Sequence, residues 1–557
     1  MPRALNWAKW LALVISGLAR AEAGLYFEDG QAPLGMADNS TTASCHRVCA
    51  QLQATGHAEL ITHYPDLPAG FAAQFFTEQQ RQMVPLCVAQ PRSAAAVSLV
   101  VRAVTEQRCP FAVKSGGHSV APGSSCRHDG LLLDLQLLNQ VEVSEDRSAT
   151  MVGPGAKWGD VYKKLEPQGL MVVGGRVASV GVGGFIQGGG ISFLSRRHGW
   201  ALDNVRSFEV VLPNGTVTTA SSSLNPDLFF AIRGTGSNFG IVTRFELETY
   251  PYESSWGGTN VNFLSDHPER KAALGLQDRF DWTFESGLIA VSNAVQAIAA
   301  KLGFGARADQ WFTAFLDVTD EAQTDRSAHA FIVAAWVPRV KAYLLGITYS
   351  YEQPVENPPA LQNVTSIPTL DATARLAPMS AFAEEIEGQS TTGSVGDRIY
   401  WRTVSFKVNR ELPSKLWDIF VAETFEYRLA VPESTPSLNM QVLGKHEIAL
   451  FSRNGGNALG VDVEDGPLLF FGIATSYVGE KNDELVKKMV DRIIDRAMEL
   501  GKEMGVYHPF FYSNYETPGQ HVYAGLAPKT RLRLLELQQS YDPGRVFADL
   551  QPGHLWL

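Results

Sequence analysis

Several things this chain lacks narrow its function before any motif is read. Cations are in the minority, 47 Lys and Arg against 58 Asp and Glu for a net charge of −11. Nucleic acid is held by clustered Lys and Arg, so that balance argues against a nucleic-acid partner and for a soluble, self-repelling protein. Beyond the N-terminus no segment reaches the ~20 apolar residues that a membrane-spanning helix needs. All five cysteines (Cys45, Cys49, Cys87, Cys109, Cys126) lie in the first quarter of the chain. With no paired CxxC groups or HxxxH beside them, no metal site is expected. Internal repeats and low-complexity tracts are absent too, and 557 residues suffice for two or three domains with cores of their own.

The N-terminus has the pattern of a targeting segment. Arg3 and Lys9 make a basic start, Trp10 to Leu18 an apolar stretch, and Ala21-Glu22-Ala23 a small-x-small cleavage site. A signal peptide over 1–23 and a secreted protein without a stable membrane anchor are the expectation. Export makes the sequons at Asn39, Asn214 and Asn363 credible glycosylation sites. Asn214-Gly215 also suits a hairpin turn between Val210-Val211-Leu212 and Thr216-Val217-Thr218. One or two disulfides are expected, with connectivity open. The odd cysteine is either free and buried, or a sign that only one bridge forms.

Glycine is plentiful, and its placement carries the chemistry. In Lys114-Ser115-Gly116-Gly117-His118-Ser119, adjacent glycines allow close backbone approach to a ligand. Successive N–H groups in such a turn form a concave anion site, which by itself has no need of an imidazole. Residues 174–205 read GGRVASVGVGGFIQGGGISFLSRRHGWALDNV, nine glycines in thirty-two positions. Each glycine costs about 1 kcal/mol in a helix interior, so an ordinary helix is not expected there. Interleaved Val180, Val182, Phe185, Ile186, Ile191, Phe193 and Leu194 rule out a linker. Ile186 stands where the dinucleotide fingerprint from Gly181 and Gly183 needs glycine. Gly184 and Gly189 have P-loop spacing, but Gly190 replaces the lysine. A buried segment pressed against something large and flat fits instead. Further on come Arg233-Gly-Thr-Gly-Ser-Asn-Phe-Gly240-Ile241-Val242-Thr243, then Tyr512-Ser513-Asn514-Tyr515, and Tyr541-Asp542-Pro543 followed by Phe547.

In this order and spacing, these stretches resemble the FAD-linked oxidases related to berberine bridge enzyme, within the vanillyl-alcohol-oxidase-like superfamily. The likeness to fungal members runs from about Pro85 to the last residue. It implies an α+β fold: a PCMH-type two-subdomain FAD-binding domain, then a substrate domain whose large antiparallel sheet is covered by helices. The corresponding boundaries are an N-terminal arm (24–80), the FAD domain (81–252), the substrate domain (253–505) and a C-terminal segment returning to the FAD domain (506–557). The resemblance further implies hydride transfer to FAD and reoxidation by O₂ to hydrogen peroxide, with His118 bonded covalently to the isoalloxazine methyl carbon. Ser115, Gly116, Gly117, Ser119, Gly181, Gly183, Gly184, Gly188, Gly189 and the backbone of Gly240, Ile241 and Val242 are then the cofactor cradle. Tyr512 is the nominated base, Tyr515 the competing choice, and Asn514 the contact to the polar edge of the flavin. In doubly tethered members a cysteine precedes the VGVGG-like stretch; Val177 stands there, so attachment is through His118 alone. Lys114 replaces an arginine common in the family.

The implied substrate is a small hydrophobic molecule of secondary metabolism. Carbohydrate or other alcohol oxidation is the alternative, as is a flavin-retaining cyclase or ligand-binding protein without net redox turnover. The chain is expected to be a monomer. His198 reads as a surface residue, and the aromatics after Trp256 as core. Local patterns predict helices over 94–105, 158–165 and 483–503, the last packing through Leu485, Met489, Ile493 and Ala497. Strands are expected at 111–113, 131–135, 149–152, 331–337, 344–351, 404–408 and 468–477.

Overall fold

The computed structural model describes residues 39–55, 61–264, 307–320, 322, 324–338, 342–389, 397–515, 520 and 522–551. The expected signal peptide, its cleavage site and the side chain of Asn39 lie outside the described residues. Residues 39–55, within the stretch expected to be an N-terminal arm (24–80), build into the first layer of the fold. Helix α1 (Asn39–Ala54) sets Cys45, Val48, Cys49 and Leu52 on one buried stripe, at the spacing of a helix face. That stripe packs on α2 (Ala94–Gln107), whose N-cap Ser93 accepts a hydrogen bond from Ala96 N. Two disulfides lock it down, Cys45–Cys109 and Cys49–Cys87, while Cys126 is free and buried. Replacing Cys49 and Cys87 by serine is expected to cost about 2–4 kcal/mol of stability, read as a lower denaturant midpoint, with a steeper slope as the unfolded chain loses a crosslink.

Beneath these helices lies a sheet of β1 (Ile61–His63), β2 (Cys87–Ala89), β3 (Phe111–Lys114) and β4 (Leu131–Asp134), in the order β1-β2-β4-β3. The pairs β2–β4 and β3–β4 are parallel and buried on both faces, which is why these strands are short and continuously apolar. A second, antiparallel sheet holds β5 (Val141–Val143), β6 (Ala149–Val152), β7 (Val205–Val211), β8 (Val217–Ser221) and β9 (Ile241–Glu248), ordered β5-β6-β9-β7-β8. The Asn214-Gly215 turn joins β7 to β8, with Asn214 exposed and Gly215 buried; Gly215 has φ 80° and Asn214 Oδ1 accepts from Thr216 N. Helix α3 (Trp158–Leu165) packs on this unit. The glycine-rich run does contain a helix, α4 (Val182–Gln187), with Gly183 and Gly184 in its first turn. Six residues is as far as it extends before Gly188, Gly189 (φ 128°) and Gly190 (φ 87°) break it.

The third sheet is nine-stranded and antiparallel, with Ser255–Leu264, Ala328–Val337, Ala342–Tyr351, Asp397–Lys407, Thr435–Leu443 and Leu468–Val478 as its long members. Side chains alternate across it. Ala330, Ile332, Ala334, Leu438, Met440, Leu469, Phe471, Val404 and Phe406 face a core shared with α5 (Ala308–Thr319), α7 (Leu412–Ala430) and α8 (Asp483–Glu503). Phe331, Leu443 and Phe470 point the other way, into the core of the glycine-rich unit. In α8 the buried stripe is Val486, Met489, Val490, Ile493, Ile494 and Ala497; Leu485 is 41% exposed and lies off it. Helix α6 (Met379–Gln389) leaves the third sheet to dock on α3, where Glu166 accepts from Ser380 N and Oγ and Lys163 pairs with Glu384.

The C-terminal motif has a structural cause. Tyr541 donates to Asp227, and the buried Asp542 carboxylate accepts from Val546 N and Phe547 N at the start of the last helix. Phe547 then sits edge-on against Phe111. His198, expected at the surface, is 12% exposed; its Nε2 is 2.8 Å from Glu352 and its ring packs on Tyr250. Asn363 is exposed and donates to Asp317 Oδ2. Among the described residues, no helix is long and apolar enough to cross a membrane and no cluster of His, Cys, Asp or Glu could hold a metal ion.

Candidate active site

The histidine loop starts where β3 ends. Lys114 and Asp134 are register partners on β3 and β4, and they form an ion pair of 2.9 Å at 3% and 0% exposure. Asp134 also accepts from Gln90 and from Gln136 N. The cation that replaces the family's arginine is therefore spent on holding the loop from below. Lys114→Met is expected to strand the carboxylate and cost about 3–5 kcal/mol, measured by denaturant unfolding.

Above that pair the chain turns through Gly116 and Gly117 and meets the glycine-rich strap. A Cβ on Gly116 would sit 2.4 Å from Gly181 N, so the two backbones touch and no other residue fits. Ser115 Oγ donates to Pro154 O at 2.5 Å and accepts from Gly183 N at 3.2 Å. Ser119 Oγ accepts from Ala121 N. His118 is clamped: its ring stacks on Phe76 at 4.3 Å, and Nε2 lies 2.8 Å from Ser179 Oγ. Burial, reinforced by the charge of Lys157, lowers its pKa to about 4, so the imidazole is neutral at physiological pH.

These elements enclose a cavity of about 540 Å³, a size suited to a large organic cofactor. Ser115, Gly116, Gly117, His118 and Ser119 line it from one loop, and Gly181, Gly183, Gly184 and Gly188 from the strap. Ile241, Val242, Tyr512 and Asn514 complete the expected set. Gly189 and Gly240 are not in the lining. A Cβ on Gly189 would press on Trp200 and Tyr512, and one on Gly240 would lie 2.3 Å from Val210 Cγ1. Their glycine character serves packing behind the wall.

Tyr512, at the cavity wall, is held by three donors. Its hydroxyl accepts from Gly190 N (3.1 Å), Ile191 N (3.2 Å) and Asn514 Nδ2 (3.1 Å). Burial and the neighbouring Tyr515 push its pKa upward against those donors. Asn514 is likewise engaged, donating to Phe185 O at 3.0 Å.

Tyr515 differs. Its ring stacks on Trp401 at 4.6 Å, and its hydroxyl accepts from Arg176 Nη2 at 2.8 Å. Arg176, from the glycine-rich strap, also donates to Gln441 at 3.0 Å and lies over the Phe331 ring. Trp401, Arg176 and Val177 all line the cavity. Sequence patterns missed the roles of Arg176, Trp401 and Gln441. The alternation of Trp401 with the core-facing Val404 and Phe406 was the one available signal for its side of the sheet.

The donor set fits FAD. Backbone N–H groups and small hydroxyls line the loop side, and a Cβ on Gly184 would meet nothing within 4 Å. Arg176 Nη1 and Gln551 Nε2 are buried donors without a partner, at the wall of a space that an acceptor-rich dinucleotide would fill. A glycine-lined cavity of this size, closed by a neutral histidine on one side and an Arg–Tyr pair on the other, defines a flavin-dependent oxidoreductase. Residues 85–221 match the family model for the FAD binding domain. The FAD-dependent monooxygenase tpcD of Cochliobolus heterostrophus is 32% identical over 94% of this chain and 96% of its own length. The carbohydrate oxidase of Microdochium nivale shares the fold, with a TM-score of 0.66 at 19% identity, over 91% of this chain and 98% of that one. So does the glucooligosaccharide oxidase of Acremonium strictum, described as carrying a 6-S-cysteinyl, 8α-N1-histidyl FAD (TM-score 0.64, 19% identity, 91% and 97% covered). The chain belongs to the FAD-dependent oxidoreductases of the PCMH-type, berberine-bridge-enzyme-like family, and FAD is its cofactor.

Proposed function

We propose that the protein is an oxidase of a small hydrophobic, flat substrate, with FAD attached through His118 alone and Tyr515 as the proton acceptor. The observation that carries this is the Arg176–Tyr515 pair at the cavity wall, backed by Trp401. Bound FAD supplies a hydride acceptor whose electrons pass to dioxygen, giving hydrogen peroxide. The chain's own residues do the rest. Trp401 and Tyr515 stack into an aromatic wall suited to a planar molecule. Tyr515 Oη takes the proton of the substrate's reacting hydroxyl or amine, and the Arg176 guanidinium, donating to that oxygen, fixes its position at the cavity wall. Tyr512, nominated from sequence, becomes a fastener between the C-terminal segment and the glycine strap.

Attachment through one bond is favoured by Val177, which borders the cavity where doubly tethered relatives carry cysteine. Export is favoured by two disulfides of the kind that persist in oxidising compartments, and by exposed sequons at Asn214 and Asn363. The name of the Cochliobolus relative raises a second reading, oxygen insertion into the product. Aromatic polyketides, alkaloids and oligosaccharides are to be screened under isotopically labelled dioxygen. Peroxide released in step with a dehydrogenated, unlabelled product supports the oxidase; label in the product and no peroxide establishes the monooxygenase. Turnover of oligosaccharides alone would overturn the substrate class.

A further inference from the structure

His118 offers two ring nitrogens, and its surroundings distinguish them. Nε2 is 2.8 Å from Ser179 Oγ, while Phe76 stacks on the ring face and keeps it from swinging. Ser179 is itself held from several sides. Its N–H donates to Glu387 Oε2 at 3.1 Å, and the preceding Ala178 N donates to Ala383 O at 3.3 Å, both on α6. On the other flank, Ala178 O accepts from Gly159 N at 2.9 Å and Val180 O from Trp158 N at 3.1 Å, both on α3. The hydroxyl is therefore placed by two helices rather than by a loose loop.

We infer that Ser179 is the positioning residue for flavin attachment: its hydroxyl holds Nε2 and leaves Nδ1 to form the bond. The inference rests on the proposed His118 linkage, through the same ring nitrogen as the N1-histidyl link described for the Acremonium oxidase, and adds to it the group that selects that nitrogen. A neutral imidazole carries one N–H. With that hydrogen on Nε2 and accepted by Ser179 Oγ, the lone pair is on Nδ1. Attachment forms an Nδ1–C bond to the isoalloxazine methyl carbon, breaks one C–H bond there and releases the Nε2 proton. The two electrons stay on the isoalloxazine, and dioxygen takes them up together with two protons, leaving as hydrogen peroxide. Afterwards Nε2 bears a lone pair, and the same hydroxyl turns round to donate to it. Serine and threonine can both accept before the bond forms and donate after it. Alanine can do neither.

The test uses the full chain as wild type, Ser179→Ala and Ser179→Thr, each incubated with FAD in air. Flavin that stays with acid-precipitated protein is followed over time, flavin bound before acid is measured separately, and the linked nitrogen is assigned by NMR of the flavinyl peptide. The expected result is a wild-type link at Nδ1 and S179T close to wild type. S179A should bind FAD normally but attach it at least about tenfold more slowly, the loss of one hydrogen bond to the reacting ring. Wild-type attachment rates in S179A, a link at Nε2, or failure of S179A to bind FAD at all would each overturn the inference. Wild-type protein with no acid-stable flavin would instead sink the His118 linkage itself, so the two failures are distinguishable.

Discussion

Tyr515→Phe is expected to lower kcat by about 10²- to 10⁴-fold, the usual contribution of a positioned acid–base group. The ring stays where it is, because Trp401 stacks on it at 4.6 Å and Tyr512 meets it edge-on at 4.8 Å. What is lost is the oxygen that takes the proton and the acceptor that faces Arg176. KM should change little, since the aromatic wall remains. Tyr512→Phe is the matched comparison: it leaves Gly190 N and Ile191 N buried without their acceptor, at about 1–3 kcal/mol for each stranded group. Its damage should appear in melting temperature before it appears in chemistry. Steady-state kinetics and thermal unfolding on both variants decide the matter. Full activity in Tyr515→Phe, with a collapse of kcat in a stably folded Tyr512→Phe, would return the base to Tyr512.

His118→Ala is expected to abolish acid-stable flavin altogether while leaving FAD bound to the native protein. No second tether is at hand. Val177 occupies the other attachment position, and the Cys126 thiol is buried, with its pKa pushed up to about 12 by desolvation, so it is not a thiolate at neutral pH. Attachment in the wild type should also show a simple pH dependence. His118 is held neutral down to about 4, so the lone pair is available across neutral pH and is lost only as the pH falls through that value. An ordinary histidine would already lose it near 6.5. Acid precipitation after incubation at a series of pH values measures this directly. Acid-stable flavin in His118→Ala would place the link on another residue.

The cofactor side of the site was largely legible because its signals are local. Gly116 and Gly181 are required by a backbone contact that tolerates no Cβ, and such a requirement is written into sequence as glycines at both contact positions. Strands read as continuous apolar runs proved to be the buried parallel ones, and the helix at 158–165 has its expected bounds. Where local evidence was thinner, it misled. Leu485 fits an every-fourth-residue pattern, yet the face that meets the sheet runs through Val486 and Val490. The N-terminal stretch looked polar because its four buried residues are spaced along a helix and include two cysteines, which a count of apolar residues does not register as core.

The Arg176 wall of the cavity depended on contacts across the chain. Arg176 meets Gln441 across a sequence separation of 265 and Tyr515 across 339. Nothing local to any of the three announces the others. The same holds for the different surroundings of two tyrosines three positions apart, one hydroxyl among backbone N–H donors and the other beside a guanidinium. By itself, then, the sequence determined that the chain binds FAD, because a cradle made of backbone is encoded by the residues that shape that backbone. Only the tertiary structure decided which cysteines pair, which face of α8 is buried and which tyrosine hydroxyl meets Arg176. Those outcomes depend on side chains brought together by the packing of the third sheet against the glycine-rich strap.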